Sequence, residues 1–205
     1  AGCTSPGHTE YLARLAGVKH VGMMLLGGSL RVVLATRHVP LERVPKMLSR
    51  AVVAGAVEMA CRAADWLRCG SKPVGVCALN PHAGENGLLG GEERRVIGPV
   101  VRRLKRRGLA VDGPVPADVI FFKALRGDYS AVVAMYHDQG LGPLKMHAFE
   151  KGVNLLLGLP FVRTSPDHGT AFDIAGRGIA GWSSMAEAIK LARRWRAGRI
   201  PGLLA

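Results

Sequence analysis

Aromatic residues make up only 5% of this 205-residue sequence, and its four cysteines include no C-x-x-C pair. Scarce aromatics leave few platforms on which nucleobases could stack. The spacing of Cys3, Cys61, Cys69 and Cys77 gives neither a zinc knuckle nor a disulfide framework, so buried, reduced thiols in a cytoplasmic protein are expected. No uncharged apolar run reaches the ~18 residues of a membrane span. The opening AGCTSPGHTE has neither the basic nor the apolar region of a signal peptide. The sequence also lacks an initiator Met, a G-x-G-x-x-G fingerprint after a strand and a P-loop. A start inside a Gly/Ser/Pro loop implies that a segment once preceded residue 1.

Hydrophobic residues make up 48% and charged residues 21%, with a formal charge of +13. Those are the proportions of a globular chain. At this length folding buries roughly 70% of the unfolded surface, so the core needs no covalent or metal staple. Most of the excess charge sits in Arg94 to Arg107 (RRVIGPVVRRLKRR) and in Arg193 to Arg199. Apolar residues recur between those charges at helical spacing, which reads as solvated helix faces and not as a nucleic-acid stripe.

Residues 21–36 (VGMMLLGGSLRVVLAT) read as two strands of a β-ribbon turned at Gly27-Gly28. From Leu41 to Cys69 the sequence predicts one long, largely buried helix with Pro45 near its start. PVGVCALN (73–80) and AVVAMY (131–136) read as buried strands and VNLLLGL (153–159) as a further strand. Residues 92–107 read as a helix closed by Gly108, and 183–197 as a terminal amphipathic helix. Strands alternating with helices predict an α/β fold on a mainly parallel sheet. No shift in composition marks a domain boundary.

Polar residues collect where such a sheet presents its ligands, at the carboxyl ends of strands. His38 follows RVVLATR, His82 follows VGVCALNP, and His137 follows AVVAMY with Asp138 next to it. Singly, each reads as a hydrogen-bonded loop histidine; together they suit an open metal site. In GHTE, His8 and Thr9 could donate to an anion, although capping of a helix by Thr9 is the local reading. Lys145, Asn154 and Arg163 lie in apolar, Gly-rich stretches beside strand ends, where cations suit a phosphate or carboxylate. DHGTAFDIAGRGIA (167–180) reads as a loop running into a helix N-terminus, an anion or nucleotide seat.

In order, GHTEYLA, ALNPHAGENG followed by GGEE, GPVPAD, VVAMYHDQGLGPLK and GVNLLLGLPFVRTSPDHGTAFDIAGRG closely resemble the 4-hydroxythreonine-4-phosphate dehydrogenase family, from about residue 7 to about 195. The resemblance implies an isocitrate/isopropylmalate dehydrogenase-like fold. The 205 residues would be the C-terminal portion of a two-domain enzyme, without the N-terminal part of its cofactor-side domain. It assigns a divalent metal (zinc, magnesium or cobalt) to His38, His82 and His137, and substrate contacts to His8, Thr9, Lys145, Asn154 and Arg163. It places NAD or NADP beside His168, Gly169, Thr170 and Asp173, the last four by likeness to the related β-decarboxylating enzymes.

The implied reaction oxidises the C3 hydroxyl of 4-phosphooxy-threonine and decarboxylates the β-keto acid, with Lys145 and Asp138 as candidates to take the hydroxyl proton. A homodimer sharing the metal site, a small phosphorylated hydroxy-amino-acid substrate, and no nucleic acid or membrane are the implied partners. Relatives with these motifs act on phospho-threonate, phospho-erythronate or cis-dihydrodiol carboxylates. A catalytically silent binding or dimerisation remnant is the alternative from another class.

Overall fold

The computed structural model describes residues 7–197, so Cys3 and the basic end beyond residue 197 lie outside it. Seven strands form one sheet in the order β4-β3-β5-β2-β1-β6-β7. They are β1 Gly22–Gly27, β2 Leu30–Leu34, β3 Val74–Cys77, β4 Val111–Val115, β5 Ala131–Ala134, β6 Val153–Leu157 and β7 Arg163–Pro166. β2, β3, β4 and β5 are mutually parallel, while β1 and β7 run against their neighbours. Five of the seven strands therefore point the same way. The expected β-ribbon is present: Gly27 pairs with Leu30 across a turn in which Gly28 takes φ +57°, open to glycine without strain.

Among the described residues the α-helices are α1 His8–Leu15, α2 Val44–Met47, α3 Arg50–Trp66, α4 Gly98–Arg106, α5 Ala117–Leu125, α6 His137–Ala148 and α7 Ser183–Ala197. They cover both faces of the sheet, and period-2 alternation divides the strands between two cores. Met24, Val33, Val76, Val133 and Leu155 face α3, α4 and α7. Leu25, Val32, Leu34, Val132 and Ala134 face α5 and α6 through Ile120, Phe121, Leu141 and Leu144. Strands buried on both faces read in sequence as unbroken apolar runs. In α3, the buried face of Ala54, Ala56, Ala60, Ala63 and Ala64 lets the helix lie close on the sheet.

The single helix expected from Leu41 to Cys69 is broken. A 3₁₀ turn, Leu41–Arg43, leads into α2, and Leu48 is extended (φ −72°, ψ 90°). Ser49 then caps α3 by accepting from Val52 N at 3.2 Å, a side-chain bond that competes with continued helix. The basic 92–107 stretch behaves as expected. A π-type turn, Glu93–Ile97, feeds α4, which buries Val100, Val101 and Leu104 and exposes its arginines. Cys77 is buried, but Cys61 and Cys69 are only half-buried; all three are free thiols, and burial pushes Cys61 up to about 11. No helix among the described residues is long and apolar enough to cross a membrane.

Candidate active site

β3, β5 and β2 are adjacent and parallel, so the chain emerges from all three at one edge of the sheet. Each emerging segment carries one of the predicted histidines. His137 opens α6 directly after β5, and its ring centroid lies 5.5 Å from that of His38, with the planes tilted by 46°. Asp138 Oδ1 is 2.6 Å from His137 Nδ1. This contact orients the imidazole and leaves Nε2 to meet a ligand. His38 also borders a cleft of about 440 Å³ whose rim includes Arg37 and Glu10 and whose floor includes Val33, Ala56 and Met59.

His82 does not join this pair within the chain. It begins a run of left-handed residues, His82 to Asn86, with φ between 40° and 78°, and its side chain is exposed. No group of three His, Cys, Asp or Glu among the described residues is close enough to hold a metal ion. Of the three expected histidines, His38 and His137 adjoin and His82 stands apart from them. The loop is held at its root by buried Glu93, whose Oε1 accepts from Leu79 N and Asn80 N, both at 2.8 Å, and whose Oε2 accepts from Asn80 Nδ2 at 2.9 Å. Asn80 also donates to Glu92 at 2.7 Å, which holds that carboxyl below its usual range. The composition of GGEE gave no hint that one of its two carboxylates is a buried anchor.

The second cluster forms on the α6 side of the sheet. Asn154 pairs with Ser165 and Leu156 with Arg163, and directly paired residues share a face. Val153 and Leu155 face the opposite core, so Asn154, Arg163 and Ser165 share the face that α6 covers. Asp167 extends this row, and Lys145 Nζ reaches it from α6, donating to its backbone carbonyl at 3.1 Å and lying 3.6 Å from Oδ2. Lys145 is therefore on a helix, contrary to the strand-end placement expected. The misreading came from two glycines and a proline that disguise HDQGLGPLKMHA as loop. Asp167 was missed, although the alternation 163, 165, 167 in RTSPD marks it.

Three features suit this face to a ligand that carries both an anionic group and a hydrogen-bond donor. Arg163 is half-buried, its pKa lowered by desolvation, and no ion pair to it occurs among the described residues. Asn154 Oδ1 is buried with no hydrogen-bond partner, an arrangement that disfavours folding unless a ligand supplies a donor. Burial raises the Asp167 carboxyl above its ordinary range, opposed by the charge and hydrogen bond of Lys145 and by His137 and His168. Helix α6 carries both His137 and Lys145, which sets the histidine edge beside this face.

The N-terminal motif corrects one expectation. Gly7 is the N-cap of α1, without a side-chain bond, while Thr9 lies inside the helix and is 5% exposed. Thr9 is no cap, and His8 is exposed at the first position of the helix. Glu10 binds Arg37 at 3.2 Å and Arg37 donates to Val21 O at 3.0 Å, which draws this helix to the β2 end that carries His38. The loop of residues 167–180 does not run directly into a helix either; it passes through turns, and α7 begins only at Ser183. His168, Gly169, Thr170 and Asp173 are all exposed on it, with His168 Nδ1 2.9 Å from Gly169 O.

Comparison with known proteins identifies the family. Residues 1–192 match the family described as pyridoxal phosphate biosynthetic protein PdxA. The chain is 49% identical over 202 residues to 4-hydroxythreonine-4-phosphate dehydrogenase of Ruegeria sp. (strain TM1040), covering 98% of this chain and 62% of that protein. It is 50% identical over 186 residues to D-threonate 4-phosphate dehydrogenase of Cupriavidus necator, covering 90% and 56%. The crystal structure of 4-hydroxythreonine-4-phosphate dehydrogenase from Klebsiella pneumoniae superposes with a TM-score of 0.81 at 44% identity, over 94% of this chain and 59% of that one. A β-decarboxylating dehydrogenase of Thermococcus kodakarensis shares the fold at 16% identity and TM-score 0.58, over 95% and 62%. The chain spans about three-fifths of the length of the relatives it matches. Motifs, fold and comparisons agree that this chain belongs to the PdxA family of pyridoxal phosphate biosynthetic proteins.

Proposed function

We propose that the protein containing this chain is a metal-dependent NAD(P) dehydrogenase that oxidises the C3 hydroxyl of 4-phosphooxy-L-threonine, after which the β-keto acid decarboxylates. The observation that carries the reading is the meeting of two elements: a histidine pair in which Asp138 orients His137, and a cationic face in which Arg163 has no described counter-ion and Asn154 Oδ1 no partner.

His38 and His137 are the donors that fit a divalent ion, with His82 of the partner subunit as the third imidazole in a homodimer. Two imidazole nitrogen donors, one of them hydrogen-bonded to a carboxylate behind it, match the chemistry of zinc or cobalt sites. A bound ion would supply Lewis acidity to the substrate alcohol, and a bound nicotinamide would supply the hydride acceptor. The chain's own residues supply the rest. Arg163 holds an anionic substrate group through its planar fork, Asn154 hydrogen-bonds a polar substrate atom, and Lys145 adds a second positive charge. Lys145 Nζ or Asp138 takes the hydroxyl proton, and Asp167 keeps Lys145 on the face where that proton leaves. His8 and Thr9 complete the substrate contacts from α1, and exposed His168, Gly169, Thr170 and Asp173 offer the dinucleotide its adenosine-side contacts.

The test is substrate-dependent NADH or NADPH formation with stoichiometric release of carbon dioxide, using metal-loaded protein of full family length. Arg163→Ala is expected to weaken transition-state stabilisation through substrate affinity, and His137→Ala to abolish metal uptake. Wild-type rates and metal content in both variants would overturn the assignment. The 50% identity to a D-threonate 4-phosphate dehydrogenase supports a second reading, oxidation of a phosphorylated hydroxy acid that lacks the amino group. The ratio of kcat/KM for the two substrates decides between them.

A further inference from the structure

Gln139 lies one turn into α6, is 8% exposed, and makes both of its amide contacts to backbone at strand ends. Its Oε1 accepts from Met135 N at 2.6 Å, and its Nε2 donates to Ala78 O at 2.8 Å. Met135 follows β5 and Ala78 follows β3, so one side chain spans two neighbouring strand ends. The carbonyl of the same Met135 accepts from Thr36 N at 3.1 Å and from Thr36 Oγ1 at 2.7 Å, which brings in the end of β2. Thr36 is itself 4% exposed. Regular strand pairing has stopped at these positions. Beyond the last paired residues, the spacing of the three ends is therefore carried partly by these two buried side chains. His38 stands two residues beyond Thr36, and His137 two beyond Met135 and two before Gln139.

We propose that Gln139, acting with Thr36, is a positioning residue that fixes the separation of the strand ends bearing His38 and His137. Gln139 touches neither ring by any described hydrogen bond; it acts through Met135 and the first turn of α6. The arrangement resembles a helix capping box, in which a Gln at the third helical position reaches back to a backbone N–H, here one residue before the N-cap Tyr136. What it adds is the outward donor bond to the next strand. A buried amide with both ends used has one favourable rotamer, and the backbone it binds inherits that definition. The functional consequence rests on the reading of His38 and His137 as metal ligands, and outer residues that orient metal ligands typically change affinity by about 10- to 100-fold when removed.

Three variants of the chain test this: Gln139→Met, which keeps the volume and removes both bonds; Gln139→Glu, which keeps only the acceptor; and Val133→Ala as a packing control. Val133 is fully buried in β5 and outside the polar tie. Cobalt(II) affinity and the imidazole ¹H–¹⁵N signals of His38 and His137 in metal-free protein are the readouts. Gln139→Met is expected to weaken cobalt binding about tenfold and to shift both imidazoles. Gln139→Glu should fall between it and wild type, and Val133→Ala should lower the melting temperature without moving either readout. Unchanged affinity and signals in Gln139→Met would overturn the proposal, as would equal changes in Val133→Ala. If the wild-type chain takes up no cobalt, the metal reading falls separately; the imidazole shifts in Gln139→Met against Val133→Ala then decide the positioning role by themselves.

Discussion

The two carboxylates with the most developed surroundings, Glu93 and Asp167, do opposite things for the fold. Glu93 is buried with three short donors around it, two of them main-chain N–H groups. Glu93→Ala strands those donors, and unsatisfied buried groups disfavour folding by ~1–3 kcal/mol each. The expected loss is roughly 3 kcal/mol in urea unfolding, with Glu93→Gln losing roughly 1 kcal/mol because only the Asn80 amide contact becomes repulsive. Asp167 is the reverse case. Burial raises its pKa, so the folded state holds the carboxyl proton more tightly than the unfolded chain. That contribution is fully present below the unfolded value of about 3.9 and is lost as pH rises through the folded value. Asp167→Asn should therefore raise the urea midpoint at pH 7 relative to wild type, with the gap closing towards about pH 4. A constant gap across that range would show that the carboxyl does not titrate as its burial implies. The same variant keeps the bond from Lys145 to the Asp167 carbonyl but removes its charge partner at 3.6 Å, so stability and activity should move in opposite directions.

At the scale of elements, α6 decides how the histidine edge meets the anion face, and its glycines are not equivalent. A Cβ on Gly140 would meet Val32 Cγ1 at 2.7 Å, Ala134 Cβ at 3.0 Å and Leu34 Cδ2 at 3.1 Å. One on Gly142 would meet nothing within 4 Å. Replacing glycine by alanine in a helix interior gains ~1 kcal/mol, while overpacking a core contact costs about 1–3 kcal/mol. Gly142→Ala should stabilise by up to ~1 kcal/mol. Gly140→Ala should destabilise by roughly 1–2 kcal/mol and displace α6 with His137 and Lys145, read as a lower melting temperature and weaker metal uptake.

These glycines also explain what the sequence conceals. The strands VNLLLGL and AVVAMY are legible because apolar side chains on consecutive residues require burial on both faces. HDQGLGPLKMHA is illegible because its helix is held by contact of Gly140 with the sheet and by the buried leucines Leu141 and Leu144, and not by propensity. The break at Leu48–Ser49 is a related case, a hydroxyl able to cap placed within an otherwise helical composition. Of the site, the histidines and Arg163 follow from strand ends and motif, and Asp167 from the alternation of β7. Glu93 and Gln139 depend on contacts with segments whose positions no local pattern gives.

For the whole molecule, the decisive fact is that His38 and His137 adjoin within one chain while His82 joins no donor set among the described residues. If a second copy supplies that imidazole, each site of a twofold dimer uses His38 and His137 from one subunit and His82 from the other. Chains carrying His82→Ala, or chains carrying His137→Ala, should then form homodimers with no complete site. In a hybrid dimer, the His82→Ala chain contributes an intact pair and its partner an intact His82, so one site is whole and the other doubly defective. Random exchange of equal amounts makes about half the dimers hybrid, so mixing should restore about a quarter of the wild-type metal sites. Cobalt(II) stoichiometry before and after mixing checks this, with His38→Ala plus His137→Ala as the control pair. That pair lies on one subunit in each site, so every site of its hybrid lacks a ligand and mixing should recover nothing. Recovery in the control, or its absence in the test pair, would show that the three histidines are not divided between subunits in this way.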